Sequence, residues 1–195
     1  TTVQTPALRT VGNIVTGDDS QTQFIINLNA LPALLWMLDN PKKNIRKEAC
    51  WTISNITAGT AEQIQAVINA GVFPKLIELL QSSEFDIQKE AAWAASNATS
   101  GGTPEQILYL VQQGVVPPLC TLLSVLDSKV ITVALEGLDN ILRVAQNANV
   151  LERVVDIVTD CGGLTAIEEL QNHKNANIYN RAVKLLETYF GAEED

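Results

Sequence analysis

Two sets of side chains carry the chemistry of this sequence. Glu48, Trp51 and Asn55 recur 42 residues later as Glu90, Trp93 and Asn97. On a helix, residues four apart lie about 40° from each other and residues seven apart about 20°, so each set shares one face. An asparagine amide offers two donors and an acceptor, enough to hold both the N–H and the C=O of an extended peptide. Parallel indole rings form slots for a long aliphatic stem and attract its cationic head by about 0.5–2 kcal/mol each. Glu48, Glu90 and the pair Asp18 and Asp19 supply carboxylates for that head. The combination selects an extended peptide rich in Lys and Arg. A plainer reading stands beside it: a repeated Asn can cap a turn or bond the next repeat, and a repeated Trp can be core. Against it, Cys50, Ile53 and Ile56, and then Ala92, Ala95 and Ala98, already supply an apolar face. The Trp position is also filled by Arg9, Glu136 and Lys184 elsewhere, which a groove tolerates and a core does not.

Repeats position these residues. LRTVGNIVTG (8–17), CWTISNITAG (50–59), AWAASNATSG (92–101) and LEGLDNILRV (135–144) align on Asn13, Asn55, Asn97 and Asn140, spaced 42, 42 and 43 residues apart. Pro32, Pro74 and Pro117 keep the same step, each 23 residues before its asparagine. A fifth unit places Thr165 and Thr188 at the two marks, 48 residues after Pro117 and Asn140, so extra residues are expected near 145–152 as a loop insertion. Each unit reads as three helices. In one unit these are 61–70, ended by Gly71; 73–81, with Pro74 tolerated in its first turn; and 85–99, ended by Gly101 and Gly102. No segment alternates with period two between hairpin turns. Three helices in about 42 residues predict an all-α fold, a right-handed armadillo-repeat superhelix in which neighbouring repeats share one core.

The expected layout is one solenoid over 1–195, built from a partial repeat at 1–17, repeats at 18–59, 60–102, 103–145 and 146–191, and an acidic tail at 192–195. The chain opens on a third helix, expected over 6–17, which is the pattern of a piece of a longer solenoid.

Composition narrows the partners. A net charge of −9 repels nucleic acid and anionic membranes and favours a basic partner. No stretch is long and apolar enough to span a bilayer, and nothing at the N-terminus marks secretion. Cys50, Cys120 and Cys161 are odd in number and scattered, each in an apolar helix-like setting, so neither a disulfide framework nor a zinc site is expected. A reducing compartment is expected instead. The glycine pairs 101–102 and 162–163 lack a phosphate-loop pattern, and no nucleophile–base pair is visible, so neither a cofactor nor an enzyme activity is expected. The basic run PKKNIRK (41–47) reads as a turn entering a helix, the two N-x-T matches at Asn55 and Asn97 fall on groove helices, and His173 reads as a solvated loop residue.

RTVGNIVTG, KEACWTISNITAG, KEAAWAASNATSGG and ETYFG resemble the C-terminal armadillo repeats of the importin alpha family, over essentially the whole chain. The resemblance implies a nuclear-import adaptor that shuttles between cytoplasm and nucleus and binds nuclear localisation signals. It places Arg9, Asn13, Glu48, Trp51, Asn55, Glu90, Trp93 and Asn97 in the smaller, or minor, signal site, with Val15, Thr16, Gly17 and Asp19 adding contacts near the first helix end. It also implies that residues about 150–195 meet the family's nuclear export receptor. The basic N-terminal segment that binds importin beta in this family, and the early repeats with the major site, have no counterpart in the sequence, so importin beta is not expected by that route. Beyond Asn97 the ladder fades and no signal site is expected. The alternative is an armadillo scaffold for another extended peptide in signalling or adhesion.

Overall fold

The computed structural model describes residues 2–82 and 84–191. The expected acidic tail, 192–195, lies outside the described residues, as does Thr1 of the partial repeat. Among the described residues the structure is helical throughout, with short 3-10 turns at Leu122–Ser124 and Leu170–Asn172 and no strand. No single helix is long and apolar enough to cross a membrane. The chain forms two compact units, Thr1–Gln106 and Ile107–Asp195.

The first unit opens with α1 (Gln4–Ile14), followed by α2 (Asp19–Asn27), α3 (Ala30–Met37) and α4 (Lys43–Thr57). The pattern repeats as α5 (Ala61–Asn69), α6 (Val72–Leu79) and α7 (Phe85–Gly101), and α8 (Pro104–Gln112) begins at the boundary between the units. α1 stops at Ile14, three residues short of the sequence expectation. Thr16 and Gly17 fold back onto the Asn13 and Ile14 carbonyls, and Asp18 then starts the next helix.

A capping box opens the first helices α2, α5 and α8: Asp18 with Gln21, Thr60 with Gln63, and Thr103 with Gln106. Hydrogen bonds from Ser20 and from the Gln21 N–H hold the Asp18 carboxyl below its ordinary value. The same glutamines join neighbouring layers. The Gln63 amide donates to the Asp19 carbonyl (2.8 Å), and the Gln106 amide donates to the Ala61 carbonyl (2.9 Å) and to Gln65 Oε1 (3.0 Å). Gly59 precedes Thr60 because a Cβ there would collide with the Gln63 amide.

Third helices form the centre of this unit. α4 packs against α7 through Ala49, Ile53 and Ile56 facing Ala91, Ala94, Ala95 and Ala98, all fully buried. The alanines bring the backbones close enough for two cross-helix bonds. Thr57 Oγ1 donates to the Ala94 carbonyl (2.8 Å), and Asn97 Nδ2 donates to the Ser54 carbonyl (2.9 Å).

The second unit contains α9 (Val116–Thr121), α10 (Ser128–Asn147), α11 (Leu151–Asp160), α12 (Gly163–Glu169) and α13 (Ala176–Tyr189). The extra residues expected as a loop near 145–152 mostly lengthen α10 to 20 residues. Buried Val144 and Ala145 continue its apolar face, and Asn149, at φ 58°, turns the chain into α11. A corner residue in the left-handed region joins first and second helices throughout, at Asn29, Gly71, Gly114 and Gly162.

Candidate functional site

α1 and α4 pack closely because Gly12 is buried against the Trp51 ring, and any Cβ at that glycine would strike the indole. Next to this contact lies a cavity of about 410 Å³ lined by Arg9, Asn13, Lys47, Glu48, Trp51 and Glu90. Helices α1, α4 and α7 each contribute to it. Trp51 is half-buried, and Trp93 on α7 is 38% exposed, so neither indole is sealed in the core.

The charges differ from the sequence expectation. Glu48 is not a free carboxylate: its side chain is only 11% exposed and pairs with Arg9 at 3.2 Å, while the Arg9 side chain is 66% exposed. Arg9 stands where the next repeats carry Trp, and its flexible arm reaches across to the carboxylate that a ring would leave open. Glu90 is half-buried, and burial pushes its carboxyl above the usual range; Lys47 and Lys89 pull it down and Glu48 adds to the rise. Among the described residues Glu90 has no ion-pair partner within 4 Å, so of the two acids lining the cavity it is the one without such a partner. The sequence reading missed Lys47. The signal was available, since Lys47, Trp51 and Asn55 sit four apart, as do Lys89, Trp93 and Asn97.

The asparagine row is unequal. Asn13 is exposed. Asn97 spends one amide hydrogen on the Ser54 carbonyl, so part of its function is to bond the neighbouring layer, as the plainer reading allowed. It keeps one donor and its acceptor. Asn55 Nδ2 is buried without a partner among the described residues. At the corner of α1 and α2, Thr16, Gly17 and Asp19 are exposed, but the Val15 side chain is 2% exposed and packs into the core, so it offers a ligand no side-chain contact. The helix turn at 13–17 directs it inward. None of these four lines the cavity.

In the second unit the Trp position of α10 carries an ion pair instead of a ring, and a hydrogen bond lies beside it. Glu136, at the Trp position of α10, binds Arg181 at 2.9 Å, and Asp139 accepts from the Tyr189 hydroxyl at 3.2 Å. The basic run at 41–47 is structural in part. Arg46 donates to the Asn40 carbonyl (2.7 Å) and pairs with Glu84 (2.7 Å). Among the described residues, no three His, Cys, Asp or Glu side chains gather as a metal site would require.

Residues 18–58, 60–100 and 103–143 match the armadillo/beta-catenin-like repeat family, and residues 152–195 match the atypical armadillo repeat. The chain belongs to the armadillo-repeat family. Its homologues are importin alpha subunits. Importin subunit alpha-1b of Oryza sativa subsp. japonica is 58% identical over 97% of this chain and 37% of that protein. Importin subunit alpha-2 of Arabidopsis thaliana is 65% identical over 80% of the chain and 30% of that protein. The chain therefore spans about a third of the length of these relatives. Among solved structures, a designed armadillo repeat protein in complex with the peptide (KR)4 superposes with a TM-score of 0.82 at 35% identity, covering 94% of this chain and 74% of that one. A computationally designed armadillo protein for modular peptide recognition gives 0.70 at 30% identity, covering 94% and 92%. The armadillo architecture accounts for the arrangement of the site: third helices stack side by side, so positions 42 residues apart recur along one surface.

Proposed function

We propose that this chain is part of a nuclear-import adaptor and binds extended Lys- and Arg-rich peptides, of the nuclear localisation signal class, across α1, α4 and α7. One observation carries the reading: the α1–α4–α7 cavity combines the half-buried indole of Trp51 with the half-buried carboxylate of Glu90, which has no ion-pair partner among the described residues. An aliphatic stem packs on Trp51 while its ammonium or guanidinium head meets Glu90. Asn13 holds the peptide backbone with its exposed amide, Asn97 with the amide atoms its bond to Ser54 leaves over, and Asn55, whose Nδ2 is buried, with its side-chain oxygen alone. Thr16, Gly17 and Asp19 extend the path at the exposed corner of α1 and α2. Homology to importin alpha subunits, and similarity to a designed armadillo protein bound to (KR)4, support a basic ligand. An adaptor of this kind passes between cytoplasm and nucleus with its cargo.

Arg9 and Lys47 on the same wall favour a second reading, an armadillo scaffold for peptides of mixed charge. Titrating this chain with a fluorescent Lys/Arg-rich peptide, its Lys→Met partner and an acidic peptide separates the two. The import reading expects saturable binding of the basic peptide and marked loss with Met. Equal or tighter binding of the acidic peptide overturns it.

A further inference from the structure

Two of the three cysteines, 41 residues apart in sequence, meet in the second unit. Cys120 on α9 is 3% exposed and lies beneath the start of α12. A Cβ on Gly163 would fall 2.5 Å from Cys120 Sγ and 3.0 Å from its Cβ, so the absence of a side chain at Gly163 makes room for the sulfur. Cys161 ends α11 two residues earlier. It is exposed, and its Sγ donates to the Val158 carbonyl at 3.4 Å. Both thiols border the Val158 carbonyl: Cys161 Sγ lies 3.4 Å from its oxygen, and the space over Gly163 that Cys120 Sγ fills adjoins the same oxygen. All three cysteines are free, but Cys161 is exposed at the end of α11 rather than in the apolar setting expected from the sequence, and the buried Cys120 packs under the same α11–α12 corner. Cys50 behaves differently, fully buried in α4 with its thiol pushed up to about 12 by burial, then by Glu90.

We propose that Cys120 and Cys161 are a modification site, forming a reversible intramolecular disulfide that ties α9 to the α11–α12 corner. Each thiol has a distinct part. Cys161 faces solvent and meets the oxidant, a low-molecular-weight disulfide such as oxidised glutathione. Its thiolate attacks one glutathione sulfur, breaking that S–S bond, releasing one glutathione thiolate and leaving Cys161 as the mixed disulfide. Cys120 Sγ, giving its proton to solvent base, then attacks Cys161 Sγ and expels the second glutathione as thiolate. Two protein thiols are oxidised by two electrons in all, and one glutathione disulfide is reduced to two glutathione thiols. Burial raises the Cys120 thiol, so the second step, which needs its thiolate, is the slower one and quickens as pH rises, while lack of access keeps Cys120 from the bulk oxidant. The link closes a long loop of chain, so it stabilises the second unit if the reduced geometry already suits it.

The test uses the whole 195-residue chain incubated with oxidised glutathione, alongside Cys50→Ser, Cys120→Ser and Cys161→Ser. The wild type is expected to fall from three titratable thiols to one after denaturation, with a linked 120/161 peptide in the non-reduced digest. Its melting temperature rises by several degrees, reversed by dithiothreitol. Cys50→Ser keeps the linked peptide. Cys120→Ser stops at the glutathione adduct on Cys161, and Cys161→Ser takes up no glutathione. A wild type that also stops at the Cys161 adduct, or links only between chains, overturns the proposal. So does a linked protein whose melting temperature is unchanged or lower.

Discussion

Replacing Arg9 by Ala is expected to tighten binding of a basic peptide, although Arg9 lines the cavity. Arg9 and an incoming Lys are both cations, and both are drawn to Glu48. The Arg9–Glu48 pair is 3.2 Å long with Arg9 mostly exposed, so breaking it costs about 0.2–1 kcal/mol. Repulsion between Arg9 and a peptide ammonium about 7 Å away adds roughly 0.6 kcal/mol in water-like surroundings, and less in salt. Removing both terms lowers the binding free energy by about 0.5–1.5 kcal/mol, or roughly two- to tenfold in Kd. The assay is fluorescence anisotropy at fixed ionic strength with a Lys-containing peptide and its Lys→Met partner. Arg9→Ala should tighten the Lys peptide by that factor and leave the Met peptide unchanged, and adding Glu48→Gln should return the Lys peptide towards wild type. Circular dichroism checks the fold, because Glu48 is left in a mostly buried position without its counter-ion. If Arg9→Ala weakens both peptides equally, Arg9 holds the peptide chain and the competition argument is wrong.

Trp51→Ala should reduce Lys-over-Met selectivity, since it removes the surface on which the stem packs, and the loss should be about 0.5–2 kcal/mol in paired titrations; unchanged selectivity would separate Trp51 from recognition. Asn97→Ala should lower unfolding free energy by about 0.5–1.5 kcal/mol even without ligand, because it deletes the bond to the Ser54 carbonyl; denaturant melts that overlay the wild type would contradict that bond. Glu90 has a raised carboxyl, chiefly through burial, and only its ionised form attracts a cation. Affinity for basic peptides should therefore fall as pH drops, starting above the ordinary Glu range, and a bound cation should pull the Glu90 value back down, releasing protons measurable by calorimetry in two buffers. Glu90→Gln should flatten that pH dependence, and a Gln variant with the wild-type profile would assign the titration elsewhere.

The 42-residue step, the proline and asparagine marks and the glycine-ended helices were enough to read an all-helical repeat fold from the sequence, because each marks a local event. A corner needs a left-handed residue, a second helix tolerates proline in its first turn, and a repeat needs its period. The Trp–Asn–Glu pattern was legible for the same reason, since helical spacing alone puts such residues on one face.

Only the tertiary structure decided which of those groups are free. Whether Glu48 is available depends on Arg9, 39 residues away, and whether Asn97 has a donor to spare depends on the Ser54 carbonyl 43 residues away. Lys47 enters the cavity, and Val15 leaves the surface, through the way α1, α4 and α7 pack. Cys120 and Cys161 come to one corner because α9 packs against α11 and α12. Sequence period determines which residues share a face, because a helix imposes fixed angles between near neighbours. Pairing across helices depends on how closely the backbones approach, and here the small side chains of Gly12, Ala91, Ala94 and Ala95 on one side and Gly163 on the other set that distance.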